Sequence, residues 1–399
     1  QRLPRLVGAQ KALEMITSGN FVGARDALAL GIVDAVEAGD DIRQVGLAYA
    51  QKLAGEGAPV RRVRDIADKV EADKGSDVFD QFRAGLAKKA RGLFSPFKCV
   101  DAVEAAFTLP FAEGLKRERE LFKECMESPQ RAGLVHSFFA EREVSKVKGL
   151  AKDTPVREVK SVGIIGAGTM GGGIAMNFAN VGIPATIVEV QQEALDRGMA
   201  VIRRNYENSA RKGKLTAEQV EERMGLIKTS LSYDDFRDVD LVIEAVFENM
   251  AVKKEIFAKL DEVCKPGAIL ASNTSSLDLN QIAQFTKRPE DVVGLHFFSP
   301  ANVMRLLEVV RGEKTSFEVL ATAMAIGKKL KKVSVPVGVC DGFVGNRMVF
   351  QYGRESEFLL EEGGTPEQID GALRKFGLAM GPFAMRDLSG LDIGLAIRN

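Results

Sequence analysis

Short apolar runs alternate with longer amphipathic segments along the second half of this 399-residue chain. The intervening segments have helical spacing, including one from about residue 192 to 212 and one from about residue 252. Alternating strands and helices predict a doubly wound, largely parallel sheet, in which a ligand binds at the carboxyl ends of the strands. The predicted strands lie in residues 160–166, 183–189, 241–246, 268–272, 292–296 and 305–310.

The first 158 residues have a different pattern. Residues 1–57 alternate helices, at 9–16 and 24–30, with turns and a short predicted strand at 32–36. Residues 58–158 are mostly charged helix interrupted by prolines, and a polar linker near 151–155 leads into the sheet. The pattern therefore predicts four segments, at residues 1–57, 58–158, 159–339 and 340–399, and the last begins two amphipathic helices, from 342 to about 360 and from 366 to 375.

A glycine-rich turn follows the first strand. Gly166, Gly168 and Gly171 form Gly-x-Gly-x-x-Gly, with Thr169 and Met170 at the start of the next helix. The first glycine permits the tight turn, the second allows a pyrophosphate to approach the backbone, and the third lets helix and strand pack closely. Such spacing also occurs in ordinary α/β turns. Here a second strand ends in Glu189, at the separation expected for an acid that binds the adenosine ribose, so the context predicts a dinucleotide site and favours NAD over NADP.

Composition limits the classes of partner. Fifty-five Lys and Arg balance 55 Asp and Glu, so no net charge favours nucleic acid or an anionic membrane. Basic runs occur at 88–91 and 116–120, but acidic residues are interspersed among the basic ones through residues 58–155, which favours a solvated face over a binding patch. No apolar run is long enough to span a membrane, and the four scattered cysteines predict reduced, intracellular thiols. We expect no metal site, and the Ala- and Gly-rich helices favour a bacterial cytoplasm, with a peroxisome as the alternative.

The chain has two histidines. His136 has apolar neighbours and no ligand-type residue at metal spacing, which favours a structural role. His296 ends a predicted strand, and Glu308 lies twelve residues later in the next one. If the second strand folds back, the carboxylate can face the imidazole and make it a suitable base for a hydroxyl proton. Spacing alone fits a core histidine paired with a structural glutamate equally well.

Several motifs of residues 159–399 resemble the L-3-hydroxyacyl-CoA dehydrogenase family, in order and at matching separations. They are the glycine turn, Glu244-Ala-Val-Phe-Glu248, Ser272-Asn-Thr-Ser-Ser276, His296-Phe-Phe-Ser-Pro300 with Glu308, and Gly342-Phe-Val-Gly-Asn-Arg347. Residues 1–57 resemble the end of a crotonase (enoyl-CoA hydratase) domain, through Gln1-Arg-Leu-Pro-Arg-Leu-Val-Gly8 and Gly31-Ile-Val-Asp34. The resemblance thus implies a bifunctional hydratase–dehydrogenase, truncated at both ends, without the hydratase glutamates and with a partial helical C-terminal domain.

The resemblance also implies roles for individual residues. His296 would be the catalytic base and Glu308 its orienting partner, while Ser275 and Asn346 would bind the 3-oxygen of the substrate. Ser275 could also be a helix N-cap, and both roles can coexist. Glu248, Lys253 and Asn273 would lie against the cofactor ribose and nearby groups, and Lys212 matches loosely a lysine for the CoA phosphates.

The implied reaction is NAD-dependent oxidation of L-3-hydroxyacyl-CoA to 3-ketoacyl-CoA. Two alternatives stay open at this point: a 6-phosphogluconate-type 3-hydroxyacid dehydrogenase, which uses a catalytic lysine, and an inactive NAD- or CoA-binding remnant. Because the family's C-terminal helices cover the active site or pair with a second copy, a partial domain would expose apolar surface and favour association.

Overall fold

The computed structural model describes residues 1–389, and the predicted segment at residues 340–399 therefore lies partly outside the described residues. The described part contains eighteen α-helices and eight strands. The helices are α1 Leu3–Val7, α2 Ala9–Ser18, α3 Ala24–Ala29, α4 Ile42–Gly55, α5 Asp68–Ala72, α6 Val78–Lys89, α7 Ser95–Thr108, α8 Phe111–Glu127, α9 Pro129–Glu143, α10 Thr169–Ala179, α11 Gln192–Arg211, α12 Ala217–Gly225, α13 Met250–Val263, α14 Leu279–Ala283, α15 Phe317–Lys329, α16 Gly345–Glu361, α17 Pro366–Phe376 and α18 Pro382–Ser389. The strands are β1 Val162–Ile165, β2 Ala185–Val188, β3 Ile227–Ser230, β4 Leu241–Glu244, β5 Ile269–Ser272, β6 Val292–Phe297, β7 Leu306–Arg311 and β8 Val333–Gly338.

Two compact units contain these elements. Among the described residues, one comprises Gln1–Ser137 with Arg374–Ala379, and the other comprises Phe138–Leu373 with residues 380–389. Within residues 1–389, no helix combines the length and the apolar character that a bilayer crossing requires.

The first unit is helical and has its own apolar core. That core joins residues from both sides of position 57, so α1 and α2 pack on the helices that follow them. Its buried members are Val7, Ala9, Ala12, Leu13, Val70, Phe79, Leu86, Ala90, Val100, Val103, Ala106 and Phe107.

The strand predicted at residues 32–36 is wrong, because these residues form bends without a β ladder. The amides of Ile32 and Val33 donate to the carbonyl oxygen of Ala27, so the apolar run wraps the end of α3. Because these amides turn back toward the helix, the run does not form a strand despite its apolar composition.

The second unit is built on one sheet with the strand order β3-β2-β1-β4-β5-β6-β7-β8. Strands β1 to β6 are parallel, β7 runs antiparallel to β6, and β8 is parallel to β7. Buried apolar side chains cover both faces of the sheet, as expected for parallel strands with helices on each side. The predicted Rossmann-type sheet is confirmed, and the strand order reverses between β1 and β4, where a ligand crevice is expected.

Candidate active site

The glycine turn joins β1 to α10 in the predicted manner. Gly166 has a φ of 101°, which is open to glycine at little cost. A Cβ on Gly171 would lie 1.9 Å from the carbonyl oxygen of Gly166, so the third glycine is required for close packing. A Cβ on Gly168 would meet nothing within 4 Å, so the backbone there borders open space. Each glycine thus has the environment that a dinucleotide turn needs.

The start of α10 can accept an anion. Gly168 is its N-cap and provides no side-chain cap, so the amides of Thr169, Met170 and Gly171 have no partner within the helix. Gly168 and Thr169 are exposed, whereas the Met170 side chain packs partly against the core. These amides and the helix dipole suit a pyrophosphate, and this open backbone fits the phosphates of NAD.

Glu189 follows β2 beside this turn. One carboxylate oxygen accepts from the amide of Ala167 at 3.1 Å and the other accepts from the amide of Val190 at 2.8 Å. Glu189, Gly168 and Thr169 share the lining of a cavity of about 340 Å³. His296, Ser275, Asn346 and Lys212 do not line this cavity, and Lys212 is an exposed residue after the end of α11.

His296 and Glu308 face each other directly across the antiparallel pair β6–β7. The Nδ1 atom of His296 lies 2.7 Å from a carboxylate oxygen of Glu308. If Nδ1 carries the proton and donates it to the carboxylate, Nε2 is a proton acceptor. No other described residue forms a hydrogen bond with the His296 ring, whose side chain is 6% exposed between Phe298 and Phe343.

Glu308 also binds the start of α16. Its second oxygen accepts from the amides of Val344 and Gly345, at 3.0 and 2.8 Å. Burial alone would raise the pKa of the Glu308 carboxyl, but the hydrogen bonds from His296 and from these amides outweigh it and hold that pKa below its ordinary value. One carboxylate therefore fixes the imidazole and the first turn of the helix that carries Asn346.

Ser275 and Asn346 are brought together. The side-chain carboxamide of Asn346 donates from Nδ2 to the carbonyl oxygen of Ser275 at 3.5 Å, which joins α16 to the loop after β5. The carboxamide oxygen of Asn273 accepts from the amide of Phe297 at 2.8 Å, next to His296. Five predicted site residues thus converge at the ends of β5 and β6: Asn273, Ser275, His296, Glu308 and Asn346.

Glu248 holds the loop that carries Ser275. Its Oε1 atom accepts from the hydroxyl of Thr274 at 2.6 Å, and from the amide and hydroxyl of Ser275 at 2.6 and 3.1 Å. Burial alone would raise the pKa of the Glu248 carboxyl, but Lys253 and these donors outweigh it and lower that pKa. Its side chain is 33% exposed, so it borders both the loop and solvent.

Lys253 is 1% exposed. Its ammonium is 2.9 Å from each carboxylate oxygen of Glu244 and 3.2 Å from Glu248. The assignment of Lys253 to the cofactor ribose stays a prediction, and in this structure the side chain binds carboxylates. Sequence reasoning gave Glu244 no role, although an acid at the end of an apolar strand indicates a buried partner.

Known protein families and solved structures are similar to this chain. The family described as 3-hydroxyacyl-CoA dehydrogenase, NAD binding domain, matches residues 161–340, and the corresponding C-terminal domain matches residues 342–399. The solved structure of FadB2 from M. tuberculosis is 37% identical, with a TM-score of 0.58 over 59% of this chain and 84% of that one. The chain belongs to the 3-hydroxyacyl-CoA dehydrogenase family.

Other proteins similar to this chain include a second solved structure and two longer proteins. The (S)-3-hydroxybutyryl-CoA dehydrogenase PaaH1 from Ralstonia eutropha is 38% identical, with a TM-score of 0.57 over 60% of this chain and 86% of that one. The peroxisomal bifunctional enzyme of Danio rerio is 47% identical over 100% of this chain, and the peroxisomal multifunctional protein MFP2 of Arabidopsis thaliana is 40% identical over 99%. The chain spans 55% of the length of each of these two relatives.

Proposed function

We propose that this chain oxidises the 3-hydroxyl group of L-3-hydroxyacyl-CoA to a ketone, with NAD as the hydride acceptor, as in fatty acid β-oxidation. The observation that carries the proposal is the His296–Glu308 pair, which lies at the strand ends beside Ser275 and Asn346. Family membership supports the dehydrogenase chemistry, and the 6-phosphogluconate-type alternative has no role for this pair.

The His296 imidazole would take the hydroxyl proton at Nε2, because Nδ1 is held by Glu308. NAD, when bound, supplies the acceptor for the C3 hydride. Ser275 and Asn346 carry neutral donors that can stabilise charge on the 3-oxygen without competing for the proton. Glu308 would stabilise the imidazolium that forms, since its carboxylate is ionised and already hydrogen-bonded to the ring.

The glycine turn and Glu189 would hold the cofactor. The amides of Thr169, Met170 and Gly171 suit the pyrophosphate, and Glu189 suits the two ribose hydroxyls of NAD but repels the extra phosphate of NADP. Glu248 and Asn273 border the site from the loops after β4 and β5, as contacts for the nicotinamide ribose require. Lys212 stays a proposed contact for the CoA phosphates.

The N-terminal segments would belong to the hydratase side of a bifunctional protein. Residues 1–57 would be the end of a crotonase domain and 58–158 a helical link to the dehydrogenase, with hydratase activity not expected from this chain. Several longer relatives are named as peroxisomal or glyoxysomal proteins. For this chain, a bacterial cytoplasm stays the prediction made from composition.

The proposal is tested by NADH formation from L-3-hydroxybutyryl-CoA, with the D isomer and with NADP as comparisons. We expect turnover of the L isomer with NAD, and little with NADP. The variant Glu189→Ser should lower the preference for NAD over NADP by about tenfold, because it removes the acid that binds one cofactor and repels the other. NADH binding without any turnover would instead support the inactive remnant, and a wild-type preference for NADP would contradict the role of Glu189.

A further inference from the structure

A buried cluster of charges lies beneath the loop that carries Ser275. Glu244, the last residue of β4, is completely buried, and so is Lys253 of α13 except for 1% of its side chain. Every oxygen of Glu244 has two donors, which are the ammonium of Lys253 at both oxygens, the amide of Val246 and the hydroxyl of Ser272. Glu244 therefore has no surface with which to touch a cofactor or a substrate.

Two routes lead from Glu244 to residues 274–276, here called the serine loop. In the first, Lys253 connects Glu244 to the Oε2 atom of Glu248, and the Oε1 atom of Glu248 accepts from the serine loop. The loop donors are the hydroxyl of Thr274, the amides of Ser275 and Ser276, and the hydroxyls of both serines at 3.1 and 3.4 Å.

The second route passes through Ser272. Its hydroxyl donates to Glu244 at 2.7 Å and accepts from the amide of Thr274 at 3.2 Å. A single buried carboxylate is thus connected to the serine loop from two sides. Since the loop in turn binds Asn346 through the carbonyl of Ser275, the same chain of bonds extends to the start of α16.

We propose that Glu244 and Lys253 are positioning residues of the active site, which set Glu248 and thereby hold Ser275 where the 3-oxygen of the substrate binds. The inference rests on the proposed dehydrogenase function and assigns a task to two residues whose side chains are at most 1% exposed. The Lys253 ammonium lies between the two carboxylates, in contact with Glu244 and Glu248, and so fixes the position of one relative to the other. With Glu244 neutral, Lys253 would bind Glu248 alone and draw its carboxylate away from the loop.

The Ser275 hydroxyl has to serve two acceptors in turn, Glu248 and the substrate oxygen. It donates to Glu248 in this structure, and a serine has one hydroxyl proton to donate. To bind the substrate oxygen, this hydroxyl turns away from Glu248, while the amides of Ser275 and Ser276 keep the loop in place. The loop geometry therefore depends on Glu248 in both arrangements.

Hydrogen exchange of the cofactor-free protein tests the positioning role without any turnover. We expect Glu244→Gln to raise the exchange rate of the Ser275 and Ser276 amides by about tenfold, because their acceptor is no longer fixed. Ser272→Ala, a milder change, should raise it less. The matched control is Asp261→Asn, which breaks the largely buried pair of Asp261 with Arg288 at the other end of α13 and should leave these amides unchanged. Equal exchange in Glu244→Gln and the control would overturn the proposal.

A double-mutant cycle provides the kinetic test. Glu244→Gln should lower kcat by about tenfold in the wild-type background, since small displacements of a positioning group are costly. In a Ser275→Ala background it should lower kcat by less than about twofold, because the group that Glu244 positions is already absent. Equal losses in both backgrounds would contradict the positioning role, whereas an inactive wild type would contradict the proposed function and leave the exchange test in force.

Discussion

At the scale of single residues, the site depends on how Glu308 divides its two oxygens. One oxygen holds the imidazole of His296, and the other holds the amides of Val344 and Gly345 at the start of α16. Because these amides lie at the positive end of a helix, they stabilise the ionised carboxylate. The carboxylate can then stabilise a positive imidazolium without itself being protonated.

The variant Glu308→Gln keeps the size of the side chain and removes its charge. We expect kcat to fall by about 100-fold, since an amide stabilises the imidazolium less and no longer fixes the ring tautomer. The affinity for NADH should change little, because Glu308 does not contact the glycine turn. Steady-state kinetics and an NADH titration check both parts, and a loss of NADH affinity without a loss of kcat would show that Glu308 has a different role.

Acid stability should also depend on Glu308. Its folded-state pKa lies below the ordinary value of 4.5, so the unfolded chain binds this proton more readily. The contribution of Glu308 to stability is therefore present above pH 4.5 and is lost as the pH falls through its folded-state pKa. Urea unfolding of the wild type and of Glu308→Gln should give midpoints whose difference is constant from about pH 7 to about pH 5 and then shrinks as the pH is lowered below the ordinary value of 4.5. A difference that stays constant below that value as well would contradict this linkage.

For single residues, the sequence predicted which residues belong to the site better than it predicted how they are arranged. The twelve-residue spacing of His296 and Glu308 left the direction of the second strand open, and the antiparallel register of β6 and β7 decides it. The link between Glu244 and Lys253 was not predicted, because Glu244 ends an apolar run that has the composition of a core strand. The tertiary position of α13, and not the local pattern, brings the lysine to it.

At the scale of elements, two glycines of the glycine turn have different roles, one in packing and the other in cofactor binding. Gly171 packs against the carbonyl of Gly166, whereas Gly168 borders open space. An alanine at Gly171 would therefore meet a backbone oxygen, whereas an alanine at Gly168 would meet open space.

Gly171→Ala should lower the free energy of unfolding by about 2 kcal/mol or more, because its Cβ overlaps a backbone oxygen. Gly168→Ala should leave that free energy nearly unchanged and weaken NADH binding, since the methyl group lies where the pyrophosphate approaches. Thermal unfolding and an NADH titration of the two variants measure these effects. Equal NADH affinity of Gly168→Ala and the wild type would exclude the pyrophosphate from this turn.

The two strands that the sequence missed are the edges of the sheet. In β3, Lys228 and Thr229 are exposed, so the strand lacks an apolar run. In β8, Pro336 interrupts the pattern, and a proline is tolerated in a sheet at an edge. The central strands were predicted because burial on both faces requires continuous apolar composition.

At the scale of the whole molecule, the helices near the end of the described chain expose large apolar side chains. Met348 of α16 is 70% exposed and Leu388 of α18 is 75% exposed, and Phe358 and Leu359 are about half exposed. With no net charge at pH 7, the protein has little electrostatic repulsion to oppose association.

We expect concentration-dependent self-association, measured by sedimentation velocity. The pair of changes Leu359→Lys and Leu388→Lys should raise the dissociation constant by about tenfold or more, because each places a charge on apolar surface that association would bury. His136→Lys, a change at an exposed residue of α9, is the control. A monomer at all concentrations, or an unchanged constant in the double variant, would contradict this expectation.

The central claim is that His296 accepts the substrate proton. The most direct measurement is the rate of NADH formation from L-3-hydroxybutyryl-CoA by His296→Ala beside His136→Ala, which removes the other histidine. Our account predicts that His296→Ala lowers kcat by about 1,000-fold while NADH still binds, and that His136→Ala has no effect. Activity of His296→Ala within about tenfold of the wild type would contradict the account.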